Sequence, residues 1–388
     1  MEKKAARNTG LDLLRMVSML MVAVLHILGQ GGVMVRTGGN DPTYFTCYFL
    51  EAACLCAANG YALLSGYVGV KSHFSARKLL GMILTVEFYS LVIGLILGLS
   101  HRDWMTGETW LQIILPIQWK TWWYYSAYVG LYFLMPFLNR GVKALEPRDR
   151  RNLLSVTFML FSVCTMIAKV FFADPFSLVG GYSLIWLVIL YVFGACLREL
   201  EEERGASSGS EAPSPDANKA SAFREKTKGF WERILDLRPG ALLLIFAGST
   251  VLSWLWKVLV DTGVITAPAD TQLQRMLLIY HSPTIVINAI ALLLLFRQLR
   301  IRSTAVSRII TLLAPSAFYV YIMHTHPLIW EHILKGAFSA WRTLPPAVVI
   351  FPVLGAALGI YLVCSAIDLV RRMICRLFIG KTGTGRKA

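Results

Sequence analysis

Charge is what this sequence is short of. Only 16 % of its 388 residues are Asp, Glu, Lys or Arg, against 56 % hydrophobic, and the mean hydropathy is +0.56. Soluble domains carry about a quarter charged residues and do not repeat apolar runs near twenty residues, so a water-soluble globular chain is excluded. Acidic residues are scarcer than basic ones, 23 against 38, which gives a net charge of +15. That excess does not indicate nucleic acid, because it follows the sides of a membrane, as set out below. The seven cysteines (Cys47, Cys54, Cys56, Cys164, Cys196, Cys364 and Cys375) make no CxxC and no Cys/His ligand spacing. They read as small polarizable packing residues, and no metal is expected. No cleaved leader is expected either: charged residues interrupt the first apolar stretch, which is longer than a signal core, and no A-x-A site follows.

What is present is a series of long apolar runs, at 11–29, 45–69, 79–99, 122–140, 152–173, 181–199, 240–260, 275–297, 309–333 and 346–375. They predict an all-α integral membrane protein of about ten transmembrane helices. The piece "TWLQIILPIQW" (109–119) is too short to span and reads as an interfacial segment anchored by Trp110 and Trp119. With the N-terminus placed in the cytoplasm, the inward loops and tails hold 29 of the 38 basic residues, which predicts cytoplasmic N- and C-termini. The segment "EEERGASSGSEAPSPDANKASAFREKTKGFWER" has almost no large apolar residues. It divides the chain into helices one to six within 1–200, a disordered cytoplasmic linker over 201–239, and helices seven to ten within 240–376. A basic cytoplasmic tail follows over 377–388.

Ionisable residues inside such helices are expensive, and they mark candidate sites. "GLDLLRMVSMLMVAVLH" places Asp12, Arg15 and His26 in the first helix. Arg15 and His26, eleven residues apart, share one face and stand about 16 Å apart along the axis; Asp12 lies within i,i+3 reach of Arg15. A histidine is also the side chain best suited to exchange protons near neutrality. The bland alternative has Arg15 snorkelling to the surface with Asp12 as its partner and His26 bonded to a carbonyl. Glu51 and Asn59 in the second helix, Glu87 in the third, Asn288 in the eighth, and His324 and His326 in the ninth are each either interhelical hydrogen-bonding residues or site residues.

The first-helix segment resembles the opening helix of the acyltransferase-3 family of multi-pass membrane O-acyltransferases, whose mark is Arg-x10-His; Arg15 and His26 fit it. "GYALLSGYVGVKS" (60–72), "WWYYSAYVGLYFLMPFLN" (122–139), "YHSPTIVINAIALLLLF" (280–296) and "SAFYVYIMHTHPLIW" (316–330) resemble further family segments, in the family's order. One stretch departs from the pattern: "SARKLLGMIL" has Arg77 and Lys78 but Gly81 or Met82 where a second base is expected. The esterase domain that some members carry behind the helices is also not seen.

The resemblance implies a bacterial cytoplasmic-membrane enzyme that uses acetyl-CoA as donor and a hydroxyl on an envelope glycan or glycolipid as acceptor. Arg15, Arg77 and Lys78 would then hold the CoA phosphates, arginine being the better phosphate partner. His26 would either deprotonate the acceptor hydroxyl or carry the acyl group, with Asp12 or Glu87 orienting a base or an arginine. Glu51, Asn59, Ser65, Tyr67, Tyr125 and His324 would line or support the site. The rival resemblance, carried by "HILGQGG", "YHSPT" and "HTHPLIW", is to membrane domains attached to serine racemases of vancomycin-resistant bacteria. It implies transport of a small amino acid and no acyl chemistry, although no inverted repeat or pair of broken helices favours it.

Overall fold

Residues 8–36, 41–209, 229–266, 268 and 271–382 are described by a computed structural model. Each of the ten apolar runs is helical over most of its length, and no strand occurs among the described residues. Among the described residues seven helices are long and apolar enough to cross a membrane: Thr9–Leu28, Pro42–Gly69, Ala76–Ser100, Pro147–Val170, Pro239–Asp261, Thr304–His324 and Pro346–Leu377. The runs at 122–140 and 181–199 form the helices Trp123–Ala144 and Leu184–Gly209, which are not among the seven. The run at 275–297 is shortened to Pro283–Gln298, because Pro283 opens a helix rather than continuing one. Pro327 acts in the same way on the run at 309–333, whose helix ends at His324.

The expected linker is narrower than its composition implies. The helix Leu184–Gly209 continues past residue 201, and Phe230–Leu235 forms a helix within the 201–239 stretch. Ion pairs hold both ends. Lys71 bridges Glu199 and Glu202, the buried Arg150 pairs with Glu203, Arg151 with Glu232, and Arg204 with Asp236. Burial alone would raise the Glu202 carboxyl, but Lys71 and Arg198 outweigh it and hold it below the usual carboxylate range. Residues 210–228 and 383–388, which carry the rest of the expected linker and tail, lie outside the described residues.

Two compact units form, and neither is contiguous in sequence. The first comprises Met1–Ala57, Arg77–Ser126 and Arg300–Ala388; the second comprises Ala58–Ala76 and Ala127–Leu299. Within the first unit the first helix packs on the helix that begins at Pro346. In the first unit Ala23, Val24, Ile27 and Leu28 meet Cys47, Leu50 and Cys54 from one side and Val349, Val353 and Ala357 from the other. Small residues at that seam let helices approach closely, which is the main source of helix association where lipid is as apolar as the side chains. Cys47 and Cys54 pack there as free thiols.

The first helix starts where Asn8 caps it, its side chain accepting from the Gly10 and Leu11 amides at 2.9 and 3.3 Å, with Asp12 in the favourable first turn. Its other end is fastened. The Gly336 amide donates to the Gln30 carbonyl at 2.8 Å and Phe338 to Gly31 at 2.9 Å, while Gln30 Nε2 donates to the Trp330 carbonyl at 3.1 Å. Gly31 has no room for a side chain: a Cβ there would strike the Ile27 carbonyl and stand 2.8 Å from the Phe338 ring. Gly31→Ala is expected to cost about 1–3 kcal/mol as an overpacked position. A thermal melt of the purified variant in detergent checks this, and an unshifted midpoint would show that the loop contact carries no stability.

Deeper in the same unit, Asp368 is fully buried. It accepts from Tyr89 at 2.8 Å and Ser316 at 2.8 Å, and it pairs with Arg371 at 2.8 Å and Arg372 at 3.0 Å. Both carboxylate oxygens are thus matched, which is the condition for a buried charge to be tolerated. This ties the helices Ala76–Ser100 and Pro346–Thr382 to the turn before Ala317–His324, and so fixes the helix that delivers His324.

Candidate active site

Two histidines 298 residues apart meet in the first unit. His26, near the end of the first helix, has Nδ1 2.8 Å from His324 Nε2. His324 closes the helix Ala317–His324, and its own Nδ1 lies 2.6 Å from the Val320 carbonyl one turn back. These distances assign the protons. The Val320 carbonyl can only accept, so His324 carries hydrogen on Nδ1 and a lone pair on Nε2. His26 must then donate Nδ1–H to that lone pair, which leaves His26 Nε2 unprotonated. A neutral imidazole held in one tautomer by a second group is the arrangement of a general base with its orienting partner.

Aromatic rings fix the remaining freedom of His26. Trp330 packs edge-on with ring centroids 4.9 Å apart and planes at 88°, and Tyr321 stands at 6.5 Å. Trp330 opens a π-helical turn, Trp330–Leu334, of the kind often found at functional positions.

His26 lines a cavity of about 380 Å³. Trp119, Trp123, Tyr321 and Trp330 form its apolar walls, and Gln112, Lys120, Thr121, Thr325 and Glu331 supply polar groups. Apolar walls with a few placed polar groups are the usual make-up of a small-molecule site. The segment that sequence alone assigned to the interface is one wall of this cavity: the helix Gly107–Ile114 brings Gln112, and the turn after it brings Trp119.

The other expected residues fall in distinct places. Arg15 Nη1 donates to Asp12 Oδ1 at 2.5 Å, with Asp12 buried and Arg15 partly exposed. Arg77 and Lys78 are exposed at the start of the helix Ala76–Ser100. Glu51 and Glu87 are half-buried in the first unit, and Glu87 lies within electrostatic reach of the fully buried Tyr125. Asn59, Ser65 and Tyr67 belong to the second unit and make structural bonds there. Asn59 donates to the Tyr280 carbonyl at 2.6 Å and accepts from the Trp186 indole at 3.0 Å. Ser65 bonds back to Tyr61 at 2.8 Å, and Tyr67 bonds Glu201 beneath the Arg198 guanidinium. Asn288 is likewise committed, to Ser249 and Thr250. His326 is a positioning residue: Nδ1 accepts from the Leu328 amide at 3.3 Å, so Nε2–H donates to the Ser90 carbonyl at 3.1 Å.

The acyltransferase-3 family model, an acyltransferase domain, matches residues 8–366. The chain belongs to that family. No curated protein and no solved structure matches it. The match spans both histidines, the cavity and both units, so the acyltransferase-3 domain is nearly the whole chain. It is a multi-pass membrane acyltransferase, and among the described residues no group of three or more His, Cys, Asp or Glu could hold a metal. Reasoning from sequence singled out His26 and His324 separately but missed Trp330, Lys120, Gln112 and Glu331 as cavity residues. The one signal for them was the tryptophan content of "TWLQIILPIQW" and of "HTHPLIW".

Proposed function

We propose that this acyltransferase moves an acetyl group from acetyl-CoA, taken from the cytosol, to a hydroxyl of an envelope glycan or glycolipid at the bacterial cytoplasmic membrane. The observation that carries this is His26, a residue that lines the cavity and is held by His324 in the tautomer whose Nε2 bears no proton. An acceptor hydroxyl hydrogen-bonded to that nitrogen loses its proton to it as the oxygen attacks the thioester carbonyl. The C–S bond breaks, the new ester forms, and the proton on His26 passes to the departing thiolate. The Nδ1–H bond to His324 strengthens while His26 is cationic, so the partner stabilises the charge that develops.

The cytoplasmic placement of both termini is supported by the 29 basic residues on that side. In that orientation Arg15, Arg77 and Lys78 face the cytosol and hold the donor's phosphates, with Asp12 fixing the Arg15 fork. The thioester reaches inward along the first helix, where His26 lies about 16 Å deeper than Arg15.

Equilibrium binding of CoA tests this assignment. Arg15→Lys keeps the charge but loses the planar fork, and Arg15→Ala loses both. CoA affinity is expected to fall on the order of tenfold or more in Arg15→Ala, less in Arg15→Lys, and further with salt in each case. Unchanged affinity in Arg15→Ala would move the phosphate site elsewhere.

A further inference from the structure

Acyl transfer needs more than a base. As the acceptor attacks, the carbonyl oxygen of the thioester takes on negative charge, and a preorganised donor to that oxygen is usually the largest single contribution to the rate. His26 spends its one N–H on His324 in the assigned tautomer, so it does not supply this donor. The donor has to come from elsewhere in the cavity.

Trp330 and Tyr321 are the cavity residues in ring contact with His26, and Trp330 is the nearer, with centroids 4.9 Å apart. One oxygen can stand at hydrogen-bond distance from two groups when these lie within about 6 Å of each other, twice the usual separation. No hydrogen bond among the described residues uses the Trp330 indole N–H, a group that can only donate. The indoles of Trp186, Trp231 and Trp256, by contrast, donate to Asn59, Ser155 and the Leu273 carbonyl. Trp122 also lacks a partner, but it is fully buried and does not line the cavity. Most other donors of the cavity are committed. The Thr121 and Thr325 hydroxyls donate to the Gln112 and Tyr321 carbonyls at 2.9 and 2.6 Å, and Gln112 Nε2 donates to Glu108 at 3.2 Å. Lys120 and Tyr321 already have partners, and Trp119 makes no ring contact with His26 among the described residues.

The backbone holds the Trp330 indole in place. Its amide donates to the His326 carbonyl at 2.8 Å, and its carbonyl accepts from the Lys335 amide at 3.2 Å and from Gln30 Nε2 at 3.1 Å. Two residues on in the same π-helical turn, His332 stacks on Trp104 with centroids 4.3 Å apart, and Trp104 stacks on His101 at 4.0 Å. A donor fixed in this way needs no reorganisation when charge appears.

We infer that Trp330 Nε1–H donates a hydrogen bond to the thioester carbonyl oxygen and stabilises the oxyanion that forms when the acceptor attacks. The inference rests on the reading of His26 as the base of an acyl transfer. The indole gives up no proton. The carbonyl π electrons move onto oxygen as the new C–O bond forms and return as the C–S bond breaks, and the thiolate takes its proton from His26.

The test removes one hydrogen and little else. Trp330→Phe keeps an aromatic wall beside His26, and replacement of Trp330 by 3-benzothienylalanine puts sulfur in place of the N–H in a ring of the same shape. Acetyl turnover, acceptor KM, CoA affinity and thermal midpoint are measured for each. Both proteins are expected to lose about a hundredfold in kcat, the low end of the scale for one oxyanion donor. KM, CoA affinity and the midpoint of the benzothienyl protein should change little, since the bond is made in the transition state. In a His26→Gln background Trp330→Phe should lower the residual rate again, because oxyanion stabilisation persists without the base. A residue that acted only by packing against His26 would cost nothing further there. Normal kcat in the benzothienyl protein, a loss confined to KM or to the midpoint, or no further loss in the double variant would overturn the inference. If His26→Gln is slow in that case, the acyl-transfer reading stands without it; no acetyl transfer by the wild type would remove both.

Discussion

His26→Gln is expected to insert and fold normally, to bind CoA as the wild type does, and to lose at least about a hundredfold in turnover, the usual scale for a positioned acid–base group. Glutamine retains an N–H that can reach the His324 lone pair, so the cavity wall is preserved. What it lacks is a basic lone pair for the acceptor proton. Donor binding is expected to survive because Arg15, the residue proposed to hold the donor's phosphates, lies about 16 Å away along the helix. The check is acetyl turnover and CoA affinity on the same preparation. Near-normal turnover would make His26 a packing residue; a loss of CoA affinity as large as the loss of turnover would place the histidine in donor binding.

His324→Phe carries the second large effect. Phenylalanine fills a similar volume between Tyr321 and His26 and accepts nothing. His26 Nδ1–H then loses its partner, its tautomer is no longer fixed, and the transient imidazolium loses its support. In serine-protease triads, disabling the orienting aspartate costs about 10⁴ in rate. The partner here is neutral, so a smaller fall is expected, on the order of a hundredfold in kcat, with CoA affinity unchanged. His324→Gln, which restores an acceptor, should recover part of it. Groups that act as a unit are not additive, so the double variant His26→Gln, His324→Phe should be no slower than His26→Gln alone. Losses that multiply would show that His324 acts independently of His26.

The helices were legible in the sequence because apolar runs near twenty residues leave few alternatives, and Asp12–Arg15 because i,i+3 neighbours on a helix must meet. The pairing of His26 with His324 was not legible: each was flagged as a costly polar residue, but nothing local encodes a contact across 298 positions. Asn59 looked like a site residue for the same reason that His26 did, being polar among apolar neighbours, and Tyr67 because its segment resembles the family's. Their bonds to Tyr280, Trp186 and Glu201 show that this pattern also marks hydrogen bonds that tie helices together. The part played by 109–119 was hidden because a short apolar piece with tryptophans at both ends has the same pattern whether it lies on lipid or walls a cavity. Pro283 and Pro327 explain the helices that came out shorter than their apolar runs. Lys120 could not be noticed at all, since its left-handed φ is a property of the turn and not of the residue.

The most direct measurement reconstitutes the purified protein in vesicles with acetyl-labelled CoA and a hydroxyl-bearing glycan, and follows both free CoA thiol and alkali-labile label on the glycan in wild type and His26→Gln. The account predicts that thiol and ester appear together in wild type and that both nearly vanish in the variant, with CoA binding equal in the two. Neither protein binding CoA or releasing thiol, while labelled serine accumulates inside the vesicles, would contradict it and identify a carrier.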